Sequence, residues 1–181
     1  MSYIVSIDVG VKNVGICVFD FKSCKVVCWE NANLVSSGRY MPSQNVTYVM
    51  EFIKKYKSYF DDALTVLLER QMRCNMRIIE SIIHALHYNK AIVISPRSVK
   101  MHYDISTRNY KNNKERAVQW VDKFVTSNAS AFVPQLVMQY GAARKKDDYA
   151  DALMMLLYYL DTYSKHLNTT VVDDFEFDVE F

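Results

Sequence analysis

The chain has 181 residues, 50% of them hydrophobic and 23% charged, with a net charge of +2. That is the profile of one soluble globular domain large enough to bury a core, and it excludes a membrane-spanning helix, which needs about eighteen consecutive apolar residues. Met1-Ser2-Tyr3 runs straight into Ile4-Val5-Ser6-Ile7 with no basic leader, so neither a secretory signal nor a transit peptide is expected.

Tyr3 to Asp8 is rich in β-formers, Val9-Gly10-Val11-Lys12-Asn13 supplies turn residues, and Val14 to Asp20 resumes a β-branched run, which predicts a hairpin. A turn near Lys22 and Ser23 leads to a third strand from Lys25 to Trp29. A helix follows from Gln44 to Tyr59, with Val46, Val49, Met50, Ile53 and Phe60 near helical spacing. Ala63 to Leu68 is a short apolar run of the buried-strand kind. Gln71 to Tyr88 predicts a second helix. Its polar residues Arg73, Arg77, Glu80, His84 and His87 form one stripe, while Met72, Met76, Ile78, Ile79, Ile82, Ile83 and Leu86 cover the rest of its circumference. So wide an apolar face predicts burial on two sides, against its own sheet and against a second subunit. Ala91 to Ser95 is another buried-type strand, ended by Pro96. A base-rich loop, a helix from Asn113 to Ser127, an irregular stretch through Pro134 and a helix from Lys146 to Lys165 complete the order β-β-β-α-β-α-β-α-α. The class is α/β, with a mixed five-stranded sheet, three antiparallel strands first and then two parallel, flanked by helices.

The charge is unevenly spread. The last nine residues, Asp173 to Phe181, hold five acids and no base, so residues 1–172 carry 22 bases against 15 acids, a net of +7. A basic body suits a nucleic-acid or phosphate-bearing partner. Residues 1–166 are read as one domain and 167–181 as a flexible acidic tail. The cysteines Cys17, Cys24, Cys28 and Cys74 form no CxxC pair and are read as reduced structural thiols.

Three acidic motifs stand out. Asp8 ends an otherwise apolar strand, just before Gly10, and Glu69 follows Leu67-Leu68 at the end of another. A carboxylate in such a place needs its charge compensated, and ligands of open α/β sheets gather at the carboxyl ends of strands. The third motif is Asp147-Asp148-Tyr149-Ala150-Asp151, at the start of the last helix. Acids there can simply cap the helix or complement its dipole, but Asp151 lies a turn inside, ahead of the apolar run Ala152 to Leu157. Carboxylates brought together repel unless divalent cations sit among them. Mg²⁺ suits such a set, and two such ions about 4 Å apart can drive phosphodiester cleavage.

The strings Ser6-Ile7-Asp8-Val9-Gly10-Val11-Lys12-Asn13-Val14-Gly15, Leu68-Glu69-Arg70-Gln71 and Asp148-Tyr149-Ala150-Asp151-Ala152-Leu153 resemble, in order and spacing, those of the RuvC-like Holliday junction resolvases of the ribonuclease H-like superfamily, and the chain looks most like the poxvirus members. The resemblance covers the chain to about residue 165. It implies a ribonuclease H-like fold and a homodimeric, Mg²⁺-dependent endonuclease, with Mn²⁺ as a substitute ion, that nicks four-way DNA junctions at two symmetric positions, in the host cytoplasm where poxviruses replicate. It also implies Asp8, Glu69, Asp148 and Asp151 as ligands of two metal ions, with Asp148 preferred to Asp147. Lys100 and Lys114 are the counterparts of the family's lysines, able to offset phosphate charge or orient the attacking water; contact with DNA backbone is the plain alternative.

Residues Arg97 to Arg116 interleave bases with Tyr103 and Tyr110, a pattern suited to phosphate tracking and base stacking. Lys12, Arg70, Arg73, Arg97, Arg108, Lys111, Arg144, Lys145 and Lys146 are the expected DNA contacts. Three rivals remain. A nuclease of RNA–DNA hybrids or other branched DNA keeps the fold and changes the substrate. An actin-like ATPase would need a second glycine-rich phosphate loop, and Gly15 is followed by Ile16-Cys17 instead of Lys-Ser/Thr. A non-catalytic DNA-binding module has no need of four mutually repelling acids.

Overall fold

The computed structural model describes residues 2–35 and 38–163. Strands β1 (Tyr3–Asp8), β2 (Val14–Asp20) and β3 (Lys25–Ala32) form an antiparallel meander. The Asp20 carboxylate makes the second turn by accepting from the Lys22 amide at 3.0 Å and from Ser23 Oγ at 2.8 Å. Helices α1 (Asn45–Lys55) and α2 (Lys57–Asp61) carry the chain to β4 (Ala63–Glu69), and α3 (Cys74–Leu86) crosses to β5 (Ala91–Ile94). Helices α4 (Pro96–His102), α5 (Tyr110–Ser127), α6 (Pro134–Ala142) and α7 (Asp147–Tyr163) follow. The sheet order is β3-β2-β1-β4-β5, with β4 parallel to β1 and β5 parallel to β4. This is the mixed five-stranded sheet expected from the sequence.

Both faces of the sheet are covered, which is why its strands read as almost continuous apolar runs. Ile4, Cys17, Phe19, Trp29 and Leu67 face one core, filled by α7 with α4, α5 and α6 around it. Val5, Ile7, Ile16, Val18, Val66 and Leu68 face the other, covered by α1, α2 and α3. Alternation along each strand thus assigns Ser6 and Asp8 to the α7 face.

Several boundaries differ from the sequence reading. The expected helix from Gln44 to Tyr59 breaks at Tyr56, whose ring is buried and whose backbone (φ −107°, ψ 23°) leaves the helical region. The base-rich loop after Pro96 contains α4, and α6 begins at Pro134, where the sequence reading ends its irregular stretch. In both cases a proline occupies the first turn of a helix, where its missing N–H costs nothing, and Pro96 is the one read from sequence as the stop of a strand. Strand β3 continues past Trp29 to Ala32. Glu80, placed on a polar stripe with the histidines, is buried, because its carboxylate accepts the Gln71 backbone amide at 2.6 Å. The acidic tail lies outside the described residues.

Candidate active site

The site is one row of residues across four strands. Asp8 on β1 pairs with Gly15 on β2, and Gly15 pairs with Asn31 on β3. On the other side, one step beyond the Ile7 and Leu68 pair, Asp8 meets Glu69, and their carboxyl groups share a hydrogen bond. Residues opposite one another in a sheet point to the same face, so this row is the floor on which the first turn of α7 rests. The missing side chain of Gly15 makes room for it: a Cβ there would lie 2.1 Å from the Asp148 carbonyl oxygen and 3.2 Å from the Ala152 Cβ. Two side chains tie the helix down. Trp29 Nε1 donates to the Tyr149 carbonyl at 2.9 Å, and Ser6 Oγ donates to the Ala152 carbonyl at 2.7 Å. Both bonds give a buried side-chain donor its partner on a carbonyl near the start of α7.

This seating brings Asp148 and Asp151 over Asp8 and Glu69. Burial pushes the Asp8 carboxyl well above the usual range, and the negative charges of Glu69, Asp151 and Asp148 and the shared hydrogen bond with Glu69 push it further. Burial likewise raises Asp151, to about 6, against the pull of Lys100, whose ammonium lies 3.4 Å from its Oδ1; the Glu69 charge adds to the rise. Glu69 accepts from Gln71 Nε2 at 2.8 Å. Asp148 accepts from Asn31 Nδ2 at 2.7 Å and pairs with Lys145. Asp147 turns elsewhere. It pairs with Lys114, with Lys145 3.6 Å away, and although burial pushes its carboxyl up these lysines hold it below the usual range. Asp148, not Asp147, therefore faces the cleft.

The cleft above this row has a volume of about 1180 Å³. Lys12, Arg70, Arg73, Arg97, Lys100, Arg108, Lys114 and Lys145 line it, so four acids sit at the bottom of a basic rim. Three expected DNA contacts are not on its walls. Lys146 pairs with Asp122 of α5 at 3.0 Å and lies over the Tyr140 ring of α6. Lys111 is exposed and 3.8 Å from Glu115, and Arg144 is exposed outside the cleft. Tyr103, read as a base-stacking residue, is buried and donates to Asp161 at 2.9 Å. Sequence reasoning missed Asn31 and Gln71, the two amides beside the acid row. Gln71 follows the Glu69 motif directly, whereas Asn31 enters only through strand register.

As arranged, no group of three His, Cys, Asp or Glu among the described residues converges tightly enough to hold a metal ion. Lysine ammoniums do part of the neutralising, Lys100 on Asp151 and Lys145 on Asp148, while Asp8 lies against Glu69. An all-oxygen set that must be neutralised in this way fits a hard divalent cation.

The family model described as poxvirus A22 protein matches residues 2–163. The chain belongs to that family. A comparison with curated proteins found no match. Among solved structures, the yeast mitochondrial Holliday junction resolvase Ydc2 is similar at a TM-score of 0.63 and 19% identity, over 91% of this chain and 86% of that one. The fowlpox virus Holliday junction resolvase is similar at 0.62 and 21%, over 88% of this chain and 97% of that one. Its complex with substrate Holliday junction DNA is similar at 0.61 and 22%, with the same coverage. The member of the poxvirus A22 family described here thus has the ribonuclease H-like fold of these resolvases.

Proposed function

We propose that this protein is a structure-selective endonuclease that resolves four-way DNA junctions by paired, symmetric phosphodiester hydrolysis, acting where poxvirus genomes replicate in the host cytoplasm. The observation that carries this reading is the row Asp8 and Glu69 under Asp148 and Asp151, at the bottom of a basic cleft, on a fold shared with junction resolvases of yeast and fowlpox virus. Asp8, Glu69, Asp148 and Asp151 are the residues that would hold Mg²⁺, two ions per site, with Mn²⁺ as a substitute. Bound there, the metal supplies charge that lowers the pKa of a water and stabilises the leaving oxygen.

The remaining work falls to side chains of the cleft. Arg70, Arg73, Arg97 and Arg108, with Lys12, hold DNA phosphates on the rim. Lys100, largely buried beside Asp151, places a positive charge where the scissile phosphate gains negative charge. Lys114 holds Asp147 and keeps the start of α7 against α5. Lys145, next to Asp148 and at the mouth of the cleft, is exposed enough to swing to a phosphate.

Two symmetric nicks require two sites. Helix α3 offers the surface: Ile79 and Ile83 are buried against the sheet, while Cys74, Ile78, Ile82 and Ala85 line an open apolar groove on its outer side. A second copy meeting this face forms the homodimer. Ile78→Glu should convert the protein to monomers in sedimentation; an unchanged sedimentation coefficient would place the interface elsewhere.

The deciding experiment is cleavage of a synthetic four-way junction with Mg²⁺, beside linear duplex and an RNA–DNA hybrid of the same sequence. The reading requires two nicked duplexes from the junction, with activity abolished by Asp8→Asn, Glu69→Gln or Asp151→Asn while junction binding persists. Cleavage of the hybrid alone would make the protein a ribonuclease H.

A further inference from the structure

We propose that Asn31 is a positioning residue of the active site, setting the Asp148 carboxylate in place for metal; this rests on the reading of Asp148 as a ligand. Asn31 is the end of the row Glu69, Asp8, Gly15, Asn31, and the member of it whose amide donates to Asp148. Gly15 leaves a gap between Asp8 and Asn31, the Asp148 backbone fills that gap, and the Asp148 side chain is reached from its far side by Asn31 Nδ2 at 2.7 Å. An ionised carboxylate only accepts hydrogen bonds, so the amide must present its nitrogen, which fixes the orientation of both groups.

Two donors converge on the same oxygen, Asp148 Oδ2: Asn31 Nδ2 and Lys145 Nζ. They differ in kind. Lys145 neutralises Asp148 and so competes with a divalent cation for it, and its side chain is 47% exposed. Asn31 carries no charge and is anchored in the strand ladder opposite Gly15, so its hydrogen bond to one carboxylate oxygen does not offset the charge that a cation would meet. Asn31 therefore orients Asp148 without lowering its affinity for metal. An aspartate at this position would add a further carboxylate beside Asp148 in a cleft already lined by Asp8, Glu69 and Asp151, and an aliphatic residue would leave Asp148 held by the exposed lysine alone. Groups that orient metal-binding carboxylates in this way typically contribute 10- to 100-fold in metal affinity.

The test is titration calorimetry of the DNA-free protein with MnCl₂, run on wild type, Asn31→Ala, the near-isosteric Asn31→Leu and Asp148→Asn, with melting temperature and junction affinity in Ca²⁺ measured alongside. Both Asn31 variants are expected to weaken Mn²⁺ binding roughly 10- to 100-fold, to need correspondingly more metal for half-maximal cleavage, and to recover most of kcat at saturating metal, with melting temperature and junction affinity unchanged. Asn31→Ala added to Asp148→Asn should have no further effect. Wild-type Mn²⁺ affinity in both Asn31 variants, beside a loss in Asp148→Asn, would overturn the positioning role and leave the site reading intact. Wild-type metal binding and cleavage in Asp148→Asn would overturn the ligand assignment itself. A fall in melting temperature that parallels the metal loss in both Asn31 variants, or a failure of both to fold, would make Asn31 a residue of the fold and not of the site.

Discussion

Helices α7 and α3 lie on opposite faces of one sheet and both adjoin the cleft, yet they are completed differently. From Ala152 to Leu157 every residue of α7 is buried, because the sheet lies beneath it and α4 and α5 lie along its sides. Helix α3 buries Ile79, Glu80 and Ile83 and leaves Ile78 and Leu86 more than two-fifths exposed. Both sequences are apolar around most of the circumference, so hydrophobicity alone does not separate them. The difference is whether the chain itself supplies the second layer. The helix enclosed within the chain is the one that carries the proposed metal-binding carboxylates, where a displacement of about 1 Å would cost about a hundredfold in rate; the helix left open is the one proposed to meet a second copy.

The strongest way to break the α7 side is at its seat. Gly15→Ala puts a methyl group into the Asp148 carbonyl, a backbone atom that cannot step aside without moving the helix. Junction cleavage should fall by about a hundredfold or more, and a variant that cuts like wild type would show that the first turn of α7 is not held where the sheet places it. Next in size is the core beneath that helix. Leu153→Ala removes a fully buried side chain and should lower unfolding free energy in urea by about 2–5 kcal/mol.

The pH dependence of the metal-free protein tests the same region from its charges. Asp151 at about 6 in the folded state, against about 3.9 in an unfolded chain, means that the folded state binds more protons between those values. Stability in EDTA should therefore fall as pH rises through about 4 to 6, with Asp8 raised in the same direction. Asp151→Asn should flatten part of that slope in a thermal melt, by roughly a few degrees, and added Mn²⁺ should restore stability at pH 7 in wild type. The smallest effect belongs to the open helix. Ile78→Ala should change the stability of the dilute, monomeric protein by no more than about 0.5 kcal/mol, and a loss comparable with that of Leu153→Ala would mean that Ile78 already has its partner within the chain.

Much of this was legible in the residues. Asp8 and Glu69 end apolar strands and Asp151 interrupts an apolar helix, and a charge in such a place has few explanations other than a site. Helix α4 was not legible, because a proline such as Pro96 stops a strand and starts a helix with equal ease, and α6 was not legible because it follows a stretch with no regular period. The buried Glu80 was misplaced because its partner, the Gln71 amide, is a backbone group that no side-chain pattern reveals. Lys146 and Tyr103 read as DNA contacts by composition, but their partners Asp122 and Asp161 come from α5 and from the far end of α7.

By itself the sequence determined the strand and helix periods, the mixed sheet and the identity of the acids, since each depends on residue type and spacing along the chain. Only the tertiary structure decided that Lys100 stands beside Asp151 and that Asn31 shares a row with Asp8, and it is the structure that turns Asp148, the acid preferred by resemblance, into the cleft. Those choices depend on strand register and on the rotation of α7 about its axis, and both are set by contacts between segments more than a hundred residues apart: Ser6 with Ala152, Trp29 with Tyr149, and the notch at Gly15.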